Sequence, residues 1–174
     1  MQFTRWCGVI VVSGLVACSG RSATYVEPQV PPHVGTALVH SPADPTVVLI
    51  TEYAGALSLW RFADLRTPER LATVFTDAHL ATFSADGKTI VVFGKDGKLR
   101  ILDFDGKAIA ESAETARGGT LPAGIAVDPD GQRVVTVGRD GVWSWSLPKL
   151  DRTSIEPNIH ASAAAFSTRG ALAI

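Results

Sequence analysis

Apolar positions in this chain form one continuous run near the start and then a long series of short ones. Trp6 to Val16 gives eleven residues without a charge, six of them Val, Ile or Leu, behind a basic start from Met1 to Arg5. That length suits the apolar core of a signal peptide and falls well short of the roughly 20 residues that a membrane-spanning helix needs. Residues 18–36 follow, where Ser19, Ser22, Pro28, Pro31 and Pro32 oppose regular structure and predict an extended tether. From residue 37 onward the apolar runs are short, rich in β-branched residues and broken by Asp, Gly, Pro or Ser. This pattern predicts strands joined by tight turns.

The short runs repeat. Ala81 to Val92 returns as Ile125 to Thr136 and again as Ala164 to Ile174, with a looser copy at Leu38 to Val48. Phe83, Val127 and Phe166 hold the same place, 44 and 39 residues apart. Each copy reads as an apolar strand, a polar turn (Asp-Gly, with Asp-Pro in the first and Arg169-Gly170 in the truncated last) and a β-branched second strand. Next come a second turn (Tyr53-Ala54-Gly55, Lys95-Asp96-Gly97, Arg139-Asp140-Gly141) and a third strand (Leu57–Trp60, Leu99–Leu102, Trp143–Trp145). A more polar fourth strand is expected near Arg70–Val74, Lys107–Ala110 and Arg152–Ile155, where polarity suits an outer edge. Four antiparallel strands per forty-odd residues predict an all-β fold, a β-propeller of four-stranded antiparallel blades. Residues 37–174 supply about three and a quarter blades, against the roughly 4–8 of closed propellers. The expectation is therefore an incomplete propeller, either a fragment or a short chain that completes a ring with itself or with a second chain.

Ala81 to Phe104 resembles the WD repeat, whose pattern is a strand, S-P-D-G, a strand, then D-G-x-I-R-L-W-D. By that resemblance Phe83 and Phe166 are strand positions, and Trp60 and Trp145 stand at or near the family's tryptophan, with Leu102 in its place between them. Asp96 and Asp140 match the turn aspartate, from which Ala54 departs. The family's Gly-His dipeptide is missing, since His79 and His160 follow Ala78 and Ile159 and lie too close to the next strand. The buried His-Asp-Ser-Trp network of well-kept repeats is thus expected to be incomplete, and other propeller families stay open as relatives. The resemblance implies a fold and says almost nothing of function.

A second resemblance lies at the start. Leu15-Val16-Ala17-Cys18, followed by Ser19-Gly20, resembles the lipobox of bacterial lipoproteins. It implies a diacylglyceryl thioether on Cys18, cleavage after Ala17 and a lipid anchor, to which each buried methylene contributes about 0.8 kcal/mol. Ser19, in place of a retaining aspartate, implies the outer membrane of a two-membrane bacterium. An ordinary signal peptide or an uncleaved start are the alternatives. The expected organisation is a signal peptide at 1–17, a tether at 18–36 and a partial propeller at 37–174.

Composition adds exclusions. A chain of 174 residues, 46% hydrophobic and 19% charged, is globular in kind. Its net charge of −1, with signs interspersed, speaks against a nucleic-acid partner, which calls for a basic face. His33, His40, His79 and His160 show no zinc spacing. Asp103-Phe104-Asp105-Gly106 and Asp128-Pro129-Asp130-Gly131 lack the further ligands of a calcium loop and read as hairpin turns. No G-x-S-x-G elbow is present, and Gly118-Gly119-Thr120 runs into proline, not a helix. The tryptophans at blade positions read as core, and Arg117, Arg139 and Arg169 as loop arginines open to a ligand. No catalytic, cofactor or metal residue is assigned. The expected function is a non-catalytic protein-binding or scaffold module at the bacterial envelope, its partners the membrane, through the lipid, and a protein. The alternative is a periplasmic propeller enzyme (hydrolase, lactonase or quinoprotein) with its active site mostly in further blades.

Overall fold

A computed structural model describes residues 35–174 except 53, 65, 114 and 116–119. Cys18, the signal peptide and nearly all of the tether lie outside the described residues. Fourteen strands and no helix are found among those described. The first sheet holds β1 (Gly35–His40), β2 (Val47–Glu52), β3 (Leu57–Arg61) and β4 (Glu69–Phe75). The second holds β5 (Ala78–Phe83), β6 (Ile90–Gly94), β7 (Leu99–Leu102) and β8 (Ala108–Glu111). The third holds β9 (Gly124–Val127), β10 (Arg133–Gly138), β11 (Gly141–Ser146) and β12 (Arg152–Glu156). A last pair, β13 (Ala165–Phe166) and β14 (Leu172–Ala173), forms a two-stranded sheet. Every sheet is antiparallel and strictly sequential in order. β1 starts at Gly35, two residues before the expected boundary at 37, with an irregular register between Gly35 and Ala37.

The sheets stack in chain order, with β5 beside β1 and β2, β9 beside β5, and β13 beside β9. Three apolar layers fill the joints. Val47, Leu49, Leu57, Leu59 and Val74 pack on Phe83, Ile90, Val92 and Leu102. The other face of the second sheet, with Val91, Phe93, Leu99 and Ile101, packs on Val134, Trp145 and Leu150. Val135, Val137 and Val142 then meet Ala164, Phe166 and Leu172. All five residues of β6 are buried for this reason: consecutive side chains point to opposite faces, and each face has a sheet against it. Phe93 and Trp145 meet edge to face across the second joint, their centroids 6.3 Å apart. Three complete four-stranded sheets and one half-sheet, stacked without closing, have the architecture of an incomplete β-propeller.

The repeat copies superpose in register as well as in sequence. Phe83, Val127 and Phe166 lie opposite Ile90, Val134 and Leu172. One residue further along, Ser41, Ser84, Asp128 and Ser167 close the first turn of each sheet. Their backbone N–H groups donate across the turn to the carbonyls of Val47, Thr89, Arg133 and Ala171. Their side chains accept amides within it, those of Ala43, Thr89, Asp130 and Ala171 among them. Such short polar side chains compete for local backbone donors, which is why the strand stops there.

Candidate interaction surface

The turns gather at the two ends of the stack, each on the rigid ladder of a sheet. At one end lie the turns after the first and third strands. Asp103 accepts the amides of Asp105 and Lys107, and Gly106 takes φ 82°. Asp128 accepts the amide of Asp130 and the Nε–H of Arg133, and Gly131 takes φ 66°. Both Asp-x-Asp-Gly segments are thus hairpin turns whose leading carboxylates are occupied by the turn itself. The Asp128 carboxyl is held below its ordinary range by the Arg133 guanidinium first and by the Asp130 amide second.

Toward the other end, each complete sheet directs one arginine guanidinium between a carboxylate and an aromatic ring. Arg152 is the most enclosed, its side chain 3% exposed. Its guanidinium lies 3.6 Å from the Trp143 ring centre and 5.5 Å from that of Trp145. It donates to the carbonyl of Thr115 and stands 3.9 Å from the Asp140 carboxylate. Arg100, 12% exposed, binds Asp96 and Glu111 and covers the Phe75 ring at 5.3 Å. Arg70, 43% exposed, faces Glu52, donates to Ser58 and Thr73, and lies 5.9 Å from Trp60. Hydrogen bonding to Arg100 lowers the Asp96 carboxyl, and Lys98 followed by Arg100 lowers that of Glu111. These contacts make rigid posts of the sheet ends and leave their charges answered from within the chain.

Trp60, Leu102 and Trp145 take equivalent places, opposite Val48, Ile90 and Val134. All three are buried, as is Phe83, while Phe166 is half-buried beneath the Arg133 guanidinium. Trp145 donates through Nε1 to the Thr136 hydroxyl at 3.0 Å. Asp96 and Asp140 lie in the second turns, and both turn toward an arginine of their own sheet. The equivalent Ala54 has no carboxylate, and its carbonyl instead receives the ammonium of Lys95 from the next sheet. His79 sits within β5 and its Nε2 lies 2.7 Å from the Pro122 carbonyl, while His160 is exposed. Arg139 and Arg169 are exposed as loop residues; Arg117 and His33 fall outside the described residues.

Arg70, Arg100 and Arg152 were not singled out by sequence, although two of them carried a signal. Arg70 and Arg152 are the partners of the third-strand tryptophans, Trp60 and Trp145, in the fourth strand. Among the described residues no group of three His, Cys, Asp or Glu could hold a metal ion, and no helix is long and apolar enough to cross a membrane. No protein-family model matches the chain, and no curated protein matches it.

Proposed function

We propose that this chain is a non-catalytic protein-binding or scaffold module, built from WD-repeat-like blades and displayed at the bacterial cell envelope by a lipid on Cys18. The observation that carries the binding reading is the construction of the sheet ends. Turn after turn is fixed by its own side-chain hydrogen bonds and by the Arg70, Arg100 and Arg152 posts. Loop surfaces on a rigid scaffold bind a partner at low ordering cost, with affinity concentrated in a few anchors. The WD-repeat assignment is supported by the Trp145–Thr136 hydrogen bond, a third-strand tryptophan answered by a second-strand hydroxyl. The display reading is supported by Leu15-Val16-Ala17-Cys18 after an uncharged run of signal-peptide length.

Two measurements test this. Cys18→Ser should move the protein from the membrane fraction to the soluble periplasmic fraction, and tight membrane binding by the variant counts against lipidation. In-cell crosslinking from turn positions Asp86, Asp105 and Arg139 should trap one recurring envelope protein. A smear of unrelated partners, or none, argues against a dedicated binding surface.

A further inference from the structure

The joint between the first two sheets is tied at the end where the second turns lie. Ala78 donates its N–H to the Gly55 carbonyl, and Lys95 its ammonium to the Ala54 carbonyl at 3.0 Å. The repeat locates the counterparts of these groups at the next joint. Pro122 stands five residues before Val127, as Ala78 stands five before Phe83, and Arg139 follows Gly138 as Lys95 follows Gly94. Asp96 and Gly97 correspond to Ala54 and Gly55, because Gly97 and Gly55 each donate to the carbonyl three residues earlier.

Neither tie recurs between the second and third sheets. Proline has no N–H to give, and among the described residues Arg139 makes no hydrogen bond or ion pair. The joint is held elsewhere, by His79 Nε2 at 2.7 Å from the Pro122 carbonyl and by Arg152 on the carbonyl of Thr115. The carbonyls of Asp96 and Gly97 receive no donor among the described residues. At the third joint the backbone tie is back, with Ala161 donating to the Gly138 carbonyl. The connection into the second joint is also the longer one, residues 112–123 against Thr76 and Asp77 at the first. In repeat folds, extra length between repeats often collects on the face that meets a partner.

Two complementary groups are thus left open at the second joint. Arg139 and Asp96 are exposed, whereas Gly97 is buried, so the Asp96 carbonyl is the one that a partner can reach. The charge of Arg139 is not answered from within, since its neighbour Asp140 turns to Arg152. Nearby cations are engaged, Lys95 on Ala54, Lys98 on Glu111, and Arg100 on Asp96 and Glu111. A lone guanidinium matches a single carboxylate, where a nucleic acid or an anionic membrane calls for several cations. We infer that Arg139 and the Asp96 carbonyl form a docking site for an extended acidic segment of a partner protein. A side-chain carboxylate of that segment takes the guanidinium, and a backbone N–H takes the carbonyl. The site rests on the binding reading above and gives the partner its place and its chemistry.

The test titrates the full chain with the blocked peptide acetyl-Ala-Glu-Ala-Ala-amide and with its Gln counterpart, read by NMR. The Glu peptide should shift two signals together and saturably: the Arg139 Nε–H, and the Gly97 amide that shares a peptide plane with the Asp96 carbonyl. The Asp86 amide, at the opposite end, should stay in place. Arg139→Gln should weaken the response at Gly97 by about tenfold or more, and Arg139→Lys should keep part of it. Arg139 is exposed and unbonded, so neither change should move the signals of β6 or β10. No saturable shift overturns the assignment, as does an equal shift with the Gln peptide. So does a response that acetate or inorganic phosphate reproduces in full, since the site would then read charge alone. If the peptide fails while crosslinking from Asp86 and Asp105 still traps a protein, the partner docks elsewhere and the binding reading stands. If crosslinking fails as well, both fall.

Discussion

Trp145 and Trp60 hold the same position in two sheets, yet their indole N–H groups fare differently. Trp145 donates to Thr136, a diagonal neighbour on the same face; register puts Ile50 in that place in the first sheet, and Trp60 Nε1 is buried without an acceptor. The second sheet avoids the issue, with Leu102 and Val92 making an apolar pair. Removing the hydroxyl by Thr136→Val should cost about 1–3 kcal/mol, because a buried donor then loses its only partner type. Ile50→Thr should do the opposite and stabilise by up to about 1 kcal/mol. Urea unfolding of both variants checks the pair, and equal signs would sink the explanation. Asp128 makes a pH prediction. Its carboxyl is depressed in the folded state, chiefly by Arg133. Its contribution is therefore present above the ordinary carboxylate range and lost as pH falls through and below about 4. Asp128→Asn should melt lower than the parent near neutral pH, and the difference in Tm should shrink steadily on acidification.

Within each sheet, the turns carry more of the specification than the strands. Gly106 and Gly131 both adopt positive φ, but their surroundings differ. A Cβ on Gly106 would stand 2.3 Å from the Val74 carbonyl oxygen of the neighbouring sheet, whereas on Gly131 the nearest atom is 3.8 Å away. Gly131→Ala should thus cost only the left-handed backbone strain, about 1–2 kcal/mol. Gly106→Ala should cost more than twice that, since the β7–β8 turn must move off β4. Equilibrium unfolding of the two alanine variants measures the contrast, and equal losses would mean that the close approach to Val74 contributes nothing. The outer strands tell a related story. Ile109 and Ile155 fall at the bulges of β8 and β12, skipped by the ladder, and are 59% and 40% exposed. An apolar residue there packs on little, and its bulge serves the edge instead.

For the molecule as a whole, stacking makes stability a matter of neighbours. Each sheet is buried by the next, as in other repeat folds. Phe93, 1% exposed and stacked edge to face on Trp145, sits in the joint between the second and third sheets. Phe93→Ala should cost about 3–5 kcal/mol and raise amide exchange in both β6 and β10. Phe166→Ala, at the half-buried contact of β13 with the third sheet, should cost less and loosen β13 and β14 alone. Native-state hydrogen exchange separates these outcomes; a uniform rise throughout the chain in both variants would mean that the stack opens as one unit.

Much of this was readable along the chain. The repeated strand-turn-strand copies, their polar turns and the third-strand Trp60, Leu102 and Trp145 follow from local rules: alternation sets the face, and short polar side chains stop the strand. Those rules act over a few residues, so a single copy carries them. The arginines were not readable in the same way. Arg139 and Arg169, in loops, remained in solvent, while Arg70, Arg100 and Arg152 were drawn onto rings and carboxylates of separate strands. Their environment is assembled from residues such as Thr115 and Phe75, distant in the chain, so no window of sequence contains it. Likewise, sequence determined that there would be blades, of what length and with which face apolar. Only the stacking of sheet on sheet decided that β6 is buried on both faces and that Gly106 touches Val74, because those depend on contacts between repeats rather than within one.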